Sequence, residues 1–311
     1  MRIIRDPSSC PLECQGATVA LGNFDGVHLG HQAILRHTVA TAKASGGAAA
    51  VMTFEPHPRE FFSKTHEKLR LYSFHDKVEL LEAAGIEALF VMRFNRQLAS
   101  VSAQAFVEGL LHKTLSVRHV VTGNNFAFGH NREGNTEFLD KTAATLGMGY
   151  TACPPVLDAL AQPISSSAIR TALAAGNTHK ATALLGGPYA IAGHVQRGEG
   201  RGRTLGFPTA NLSLDHLFKP RLGIYAVRVA LDDGEWHDGV ASIGVKPTFG
   251  TYKPLLEAHL FAKNGELYGK RLHVQLVEFI RDEQRFDDVE ALKRQMENDC
   301  RKAKEILHAR R

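Results

Sequence analysis

The feature that most constrains this chain is a change of rhythm at Gly186-Gly187-Pro188. Before it, the apolar runs ATVALGNF, AAAVMTF, ALFVMRF and VRHVVTG read as buried strands. Helical periodicity fills the gaps at about 29–44, 77–84, 103–112 and 136–146, and Gly85 and Gly147 supply C-terminal stops. Such alternation predicts an α/β domain on a mainly parallel sheet, with ligands beyond the carboxyl ends of the strands. After the glycine pair come short β-like runs: YAIAGHVQ, GIYAVRVAL, EWHDGVASIGV, LEAHLFA and RLHVQLVEFI. Asp233-Gly234 and Asn264-Gly265 are turn signals between them. Only the tail is helical. Asp287 or Asp288 can cap it, and Val289, Leu292, Met296, Ala303 and Ile306 make one apolar stripe. This half reads as a small antiparallel β-barrel closed by a C-terminal helix. At 311 residues the chain is too long for one core, so the expected domains are 1–186 and 187–311.

Composition narrows the function classes. With 44% hydrophobic and 22% charged residues the chain reads as an ordinary globular protein, and no run is apolar for long enough to cross a bilayer. The start, MRIIRDPSSC, lacks a secretory core because Arg5, Asp6 and Pro7 interrupt it, so a cytoplasmic location is expected. Cys10, Cys14, Cys153 and Cys300 lack a second metal-ligand pair and read as free thiols. The net charge of +5 suits phosphorylated small molecules. No Lys/Arg run or RNA-binding aromatic signature points to nucleic acid. An oligomer is possible, but no residue pattern indicates one.

The densest chemistry of the first half lies in LGNFDGVHLGHQ. His28 and His31 are three apart at a strand-to-helix transition, so both rings fall on one face of the first turn. A helix N-terminus offers free N–H groups and partial positive charge to a phosphate, and Gly22, Gly26 and Gly30 would leave room for a ligand. A solvated or capping histidine pair is the plainer alternative. There is no Walker A motif, which excludes a P-loop. In ISSSAIRTAL, Ser165 and Ser166 with Arg170 offer a second phosphate clamp, against simple serine N-capping.

In the second half, GHVQRGEGRGRTLGFPTANL combines a Gly/Arg loop with FPTAN. Gly198, Gly200 and Arg203 could wrap a polyphosphate, or form a solvated loop. Thr209 and Asn211, two apart on an extended segment, point the same way and could hold Mg²⁺. Alternation in LEAHLF sends Glu257 and His259 to one face; without further context Glu257 is an ordinary strand carboxylate.

Together, LGNFDGVHLGHQ, TFEPHPREFF, TGNNFAFGHNREGN and the Gly-rich run into Pro-Thr-Ala-Asn resemble the bacterial bifunctional riboflavin kinase/FAD synthetases (FMN adenylyltransferases), from about Thr18 to Leu307. The resemblance implies a Rossmann-like nucleotidyltransferase domain followed by a riboflavin kinase-like barrel. It also implies ATP as co-substrate with Mg²⁺, conversion of riboflavin to FMN and FMN to FAD, and ADP and pyrophosphate as by-products. It implies catalytic roles for His28, His31 and Arg170, and for Glu257 as base toward the ribityl hydroxyl. Nucleotide contacts are implied for Gly22, Asn23, Phe24, Asp25, Gly30, Ser165, Ser166, Arg170, Gly198, Gly200, Arg203, Thr209 and Asn211. Phe54, Pro56, His57, Pro58, Asn125, Phe126 and Phe128 would border the flavin of the first domain, and Arg281, Glu283 and Phe286 that of the second. Many members have an acidic residue where this chain has Asn125, and Ser-Ser-Thr where it has Ser-Ser-Ser. The competing readings are a kinase with a degenerate first domain, and a flavin-binding regulator without turnover.

Overall fold

A computed structural model describes residues 1–63, 68–197, 201–231, 234–248, 251–261 and 267–310. The chain divides by contacts into two units: Met1–Glu67 with Phe74–Ile164, and Lys68–Ser73 with Ser165–Arg311.

In the first unit, β1 (Arg2–Ile4), β2 (Thr18–Leu21), β3 (Ala49–Glu55), β4 (Ala88–Arg93), β5 (His119–Gly123) and β6 (Gly149–Cys153) form one sheet in the order β1-β4-β3-β2-β5-β6. Every pairing is parallel. The helices are α1 (Leu29–Ser45), α2 (Pro58–Phe62), α3 (Phe74–Ala83), α4 (Arg96–Ala99), α5 (Ala103–Ala105) and α6 (Thr136–Thr145). Cores lie on both sides of the sheet, as a doubly wound fold requires: Val19, Met52, Phe90 and Val120 join one, Ala20, Val51, Leu89 and Leu35 the other. Beyond β2 the neighbouring connections run opposite ways, and this switch point is where such sheets open a crevice.

One element differs in kind. The helical pattern at 103–112 begins as α5 but continues as a π-helix over Phe106–Thr114. This segment turns Phe106, Val107 and Leu111 into the core.

The second unit contains α7 (Ser166–Ala174), α8 (Thr178–Leu185), β7 (Ala190–His194), α9 (Arg201–Thr204), β8 (Ala210–Ser213), β9 (Gly223–Leu231), β10 (Trp236–Thr248), β11 (Thr251–Leu260), β12 (Arg271–Arg281) and α10 (Val289–His308). Its antiparallel sheet runs β7-β12-β9-β10-β11-β8, and a bridge from Gln196 to Asn211 brings the chain after β7 back to β8. The barrel is thus nearly closed. Alternation makes its interior: Tyr225, Val227, Ile243, Leu256, Leu272 and Val274 are fully buried. The signal at Asn264-Gly265 lies outside the described residues, as does Asp233, while Gly234 turns at φ 79°.

Asp288 caps α10, its carboxylate accepting from the Ala291 N–H at 2.7 Å. The expected stripe on α10 is only partly right. Val289 is 58% exposed, and the face buried against the barrel runs through Asp299, Ala303 and Leu307. An aspartate is admitted there because Arg281 binds it, at 2.9 Å through Nε and 2.6 Å through Nη2.

Candidate active sites

In the first unit the chain leaves β2 and turns through 22–27 into α1. Phe24 and Val27 hold positive φ of 49° and 40°, conformations that cost about 1–3 kcal/mol each and concentrate at functional turns. His28 is the N-cap of α1, its Nδ1 accepting from the His31 N–H at 3.3 Å. That bond occupies the Nδ1 lone pair, so a neutral His28 carries its proton on Nε2. The two rings stack with centroids 3.6 Å apart, confirming the shared face. His31 Nδ1 and Asn23 Oδ1 are buried and find no hydrogen-bond partner among the described residues. Each such atom costs about 1–3 kcal/mol until something meets it. Burial holds the His31 imidazole pKa well below its usual value, and His28 and Lys77 press the same way.

The glycines serve the protein's own rings. A Cβ on Gly30 would lie 3.1 Å from the His28 ring, and one on Gly22 would lie 3.1 Å from the Phe24 ring. The room expected for a ligand at these two positions is taken by side chains that shape the turn. Asp25 is buried beside them.

The residues expected on the flavin side of this unit divide into an aromatic group and a polar group. Phe54 packs with Phe94 and Phe106, and Phe128 with Phe106 and Phe126, the last pair stacked at 5.6 Å. Pro56 is exposed and Pro58 half-buried. His57 caps α2, accepting from the Arg59 N–H at 3.1 Å. Asn125 is exposed.

Ser165, Ser166 and Arg170 belong by contacts to the second unit. Ser165 caps α7, accepting from the Ala168 N–H at 3.2 Å, so the simpler capping role is filled. Arg170 Nη1 donates to the Leu69 carbonyl at 2.9 Å.

Strand pairing builds the site on the barrel. Asn211 of β8 stands directly across from Glu257 of β11, and Glu257 across from Ser242 of β10. Cross-strand partners share a face, while Leu256 and Ala258 turn into the barrel. Asn211 is 5% exposed, yet its Oδ1 has no hydrogen-bond partner among the described residues. A Cβ on Gly202 would meet Thr209 Oγ1 at 3.4 Å, which sets α9 against the FPTAN segment. Phe207 makes an edge contact with His259, whose Nδ1 lies 2.9 Å from the Pro208 carbonyl. Gly198 and Gly200 fall outside the described residues, as does the side chain of Arg203.

Of the trio expected at the kinase flavin, Arg281 commits its guanidinium to Asp299, Glu283 stays near Glu257, and Phe286 is half-buried. Burial and the Glu257 charge both raise the Glu283 pKa. Its carboxylate lies over the bare α-carbon of Gly244, where any Cβ would collide with it.

Two features escaped the sequence reading. Lys77 of α3 is 6% exposed and binds Glu55, at the end of β3, at 3.1 Å. The aromatic group also extends through Phe94 to Phe61 and Phe62, the last 66% exposed. Only FF in TFEPHPREFF hinted at this.

Comparison with known proteins gives this geometry a family. A model described as FAD synthetase matches residues 11–168, and one described as riboflavin kinase matches 185–307. The chain is 39% identical to the bifunctional riboflavin kinase/FMN adenylyltransferase of Haemophilus influenzae, covering 99% of this chain and 100% of that protein. For the namesake from Escherichia coli K12 the figures are 38%, 99% and 97%, and for that of Bacillus subtilis 39%, 92% and 91%. A crystal structure described as a macrolide-efflux protein from Streptococcus pneumoniae superposes with a TM-score of 0.84 at 32% identity, covering 96% of both chains. Its description applies to that protein; among the described residues here no helix is long and apolar enough to cross a membrane. Full-length identity to the curated relatives and two family models in tandem settle the assignment: the chain belongs to the bifunctional riboflavin kinase/FMN adenylyltransferase family.

Proposed function

We propose that the two activities of this family are divided at 186/187 and carried by the residues placed above. The chain is an enzyme of flavin-cofactor formation, a riboflavin kinase and FMN adenylyltransferase acting on riboflavin, FMN and ATP and yielding FAD.

In residues 187–311 the riboflavin 5′-hydroxyl oxygen attacks the γ-phosphorus of ATP. The bond to the β,γ-bridging oxygen breaks, ADP leaves, and Glu257 takes the hydroxyl proton. Thr209 and Asn211 would hold Mg²⁺ against the phosphates; two neutral oxygens beside a carboxylate suit this hard cation, and the Asn211 Oδ1 has no hydrogen-bond partner among the described residues. When bound, the ion offsets charge on the phosphates. Gly198, Gly200 and Arg203 complete the nucleotide loop. Arg281, Glu283 and Phe286 frame the flavin, Arg281 by anchoring α10 at Asp299.

In residues 1–186 a phosphate oxygen of FMN attacks the α-phosphorus of ATP, the α,β-bridging bond breaks, and pyrophosphate leaves. His28 and His31 meet the charge that builds on the phosphates. Gly22, Asn23, Phe24, Asp25 and Gly30 shape the turn, Ser165, Ser166 and Arg170 form the second phosphate segment, and the Phe54 and Phe128 groups face the flavin. No covalent intermediate is required. We place the enzyme in the cytoplasm, where its four free thiols persist and ATP is supplied.

The pairing of Glu257 with Asn211 supports this reading best, since it puts a carboxylate beside a buried amide oxygen that has no hydrogen-bond partner among the described residues. Chromatography of products from riboflavin, ATP and Mg²⁺ tests it. FMN followed by FAD is expected. FMN alone, with no FAD even from supplied FMN, would leave only the kinase half standing. ATP turnover that ignores riboflavin would remove the whole reading.

A further inference from the structure

Glu283 is exposed, in the stretch that follows β12. A carboxylate there would ordinarily reach into water. This one folds back onto the barrel: a Cβ built on Gly244 would collide with its Oε1 and stand 3.2 Å from its Cδ. Only a residue without a side chain admits it. Gly244 of β10 lies two residues beyond Ser242, so both present the same face, about 7 Å apart. Ser242 is paired with Glu257, and Glu257 with Asn211. The two carboxylates therefore share one side of the barrel, and Glu283 feels the Glu257 charge there. Like charges so placed gain nothing from each other. The neighbouring cation, Arg281, is bound to Asp299, and among the described residues no group donates a hydrogen bond to Glu283. On the same face the amide oxygen of Asn211, a residue 5% exposed, also finds no hydrogen-bond partner among the described residues. Acceptors outnumber donors here, which suits a ligand that brings donors.

We infer that Glu283, seated on Gly244, is a specificity-determining residue for the kinase acceptor: its carboxylate accepts a hydrogen bond from an inner hydroxyl of the flavin's ribityl chain, while Glu257 meets the terminal one. A chain of successive hydroxyls supplies the donors that this face lacks, and each hydroxyl taken from water on binding must find an acceptor. Two carboxylates set one strand repeat apart thus measure the chain, and a flavin without inner hydroxyls leaves Glu283 unmatched. This inference rests on the assignment of riboflavin phosphorylation to the second half.

The test pairs a variant with a trimmed substrate. Riboflavin is compared with a flavin carrying a plain hydroxypentyl chain, which keeps only the terminal hydroxyl. In the wild-type chain, kcat/KM for phosphorylation by MgATP should be about ten- to a hundredfold lower for the trimmed flavin, the loss expected for a hydrogen bond to a charged group. Glu283→Ala should lower kcat/KM for riboflavin by a similar factor, through KM rather than kcat. The same variant should change the value for the trimmed flavin less than about twofold, so that the two losses do not add. Gly244→Ala displaces the carboxylate without removing it and should give the same pattern. Riboflavin binding, followed by quenching of its own fluorescence, reads these losses without turnover. Equal losses for both flavins, which mean a contact with the ring or a general distortion, overturn the inference, and so does no loss for either. A folded Gly244→Ala chain that keeps the wild-type preference overturns it as well; if that variant does not fold, Glu283→Ala decides alone. If the wild-type chain phosphorylates neither flavin, the kinase assignment fails instead, and the fluorescence titration still decides whether Glu283 selects the chain.

Discussion

The candidate sites of the two halves have opposite constructions. The first places its histidines within four residues, on the opening turn of α1, and stacks them. The second draws Asn211 and Glu257 from distant strands and joins them through ladder register at the seam of a nearly closed barrel. A helix start is local, so its geometry follows from capping and from the glycines that admit the rings. A barrel seam is global. A one-residue slip between β8 and β11 would turn Asn211 or Glu257 to the other face. One site can therefore be disturbed by a point change in a turn, while the other depends on everything that holds the register.

The largest expected effect tests the barrel side of this contrast. Glu257→Ala should slow FMN formation about 10²–10⁴-fold, as loss of a general base does, and leave FAD formation from supplied FMN near wild type. Next is the helix start. His28→Ala removes a cap and the donor proposed to stabilise phosphate charge, and FAD formation should fall about 10²–10³-fold with the kinase step intact. Loss of both activities in each variant would dissolve the division of labour. The smallest effect on turnover but a clear one on stability comes from Asp299→Ala, which strands Arg281 in its buried pair and should cost the second unit about 3–5 kcal/mol. The single tryptophan, Trp236, lies in β10 and reports urea unfolding of that unit by its fluorescence. An unchanged midpoint would show that α10 is held by its apolar face alone.

Much of this was legible beforehand because it is local. The turn into α1, the alternation in LEAHLF and the cap at Asp288 each depend on neighbours within a few residues. The misreadings share one cause. Asp299 on the buried face of α10 and the Lys77–Glu55 pair each answer to a partner elsewhere in the fold. Lys77 in the sequence is only one more charge on an amphipathic helix. Val289 fits the apolar stripe, yet its place at the first turn leaves it in solvent.

The residues alone determined that there would be a parallel α/β half and an antiparallel barrel half, since side-chain periodicity is a property of each segment. They also determined the family, through motifs that are contiguous. Strand order and register were decided only in the tertiary structure: which strand lies at the switch point, which residue faces Glu257, and which carboxylate holds Lys77. Such pairings are chosen by burial and charge between segments far apart in the chain, and no single segment encodes its own partner.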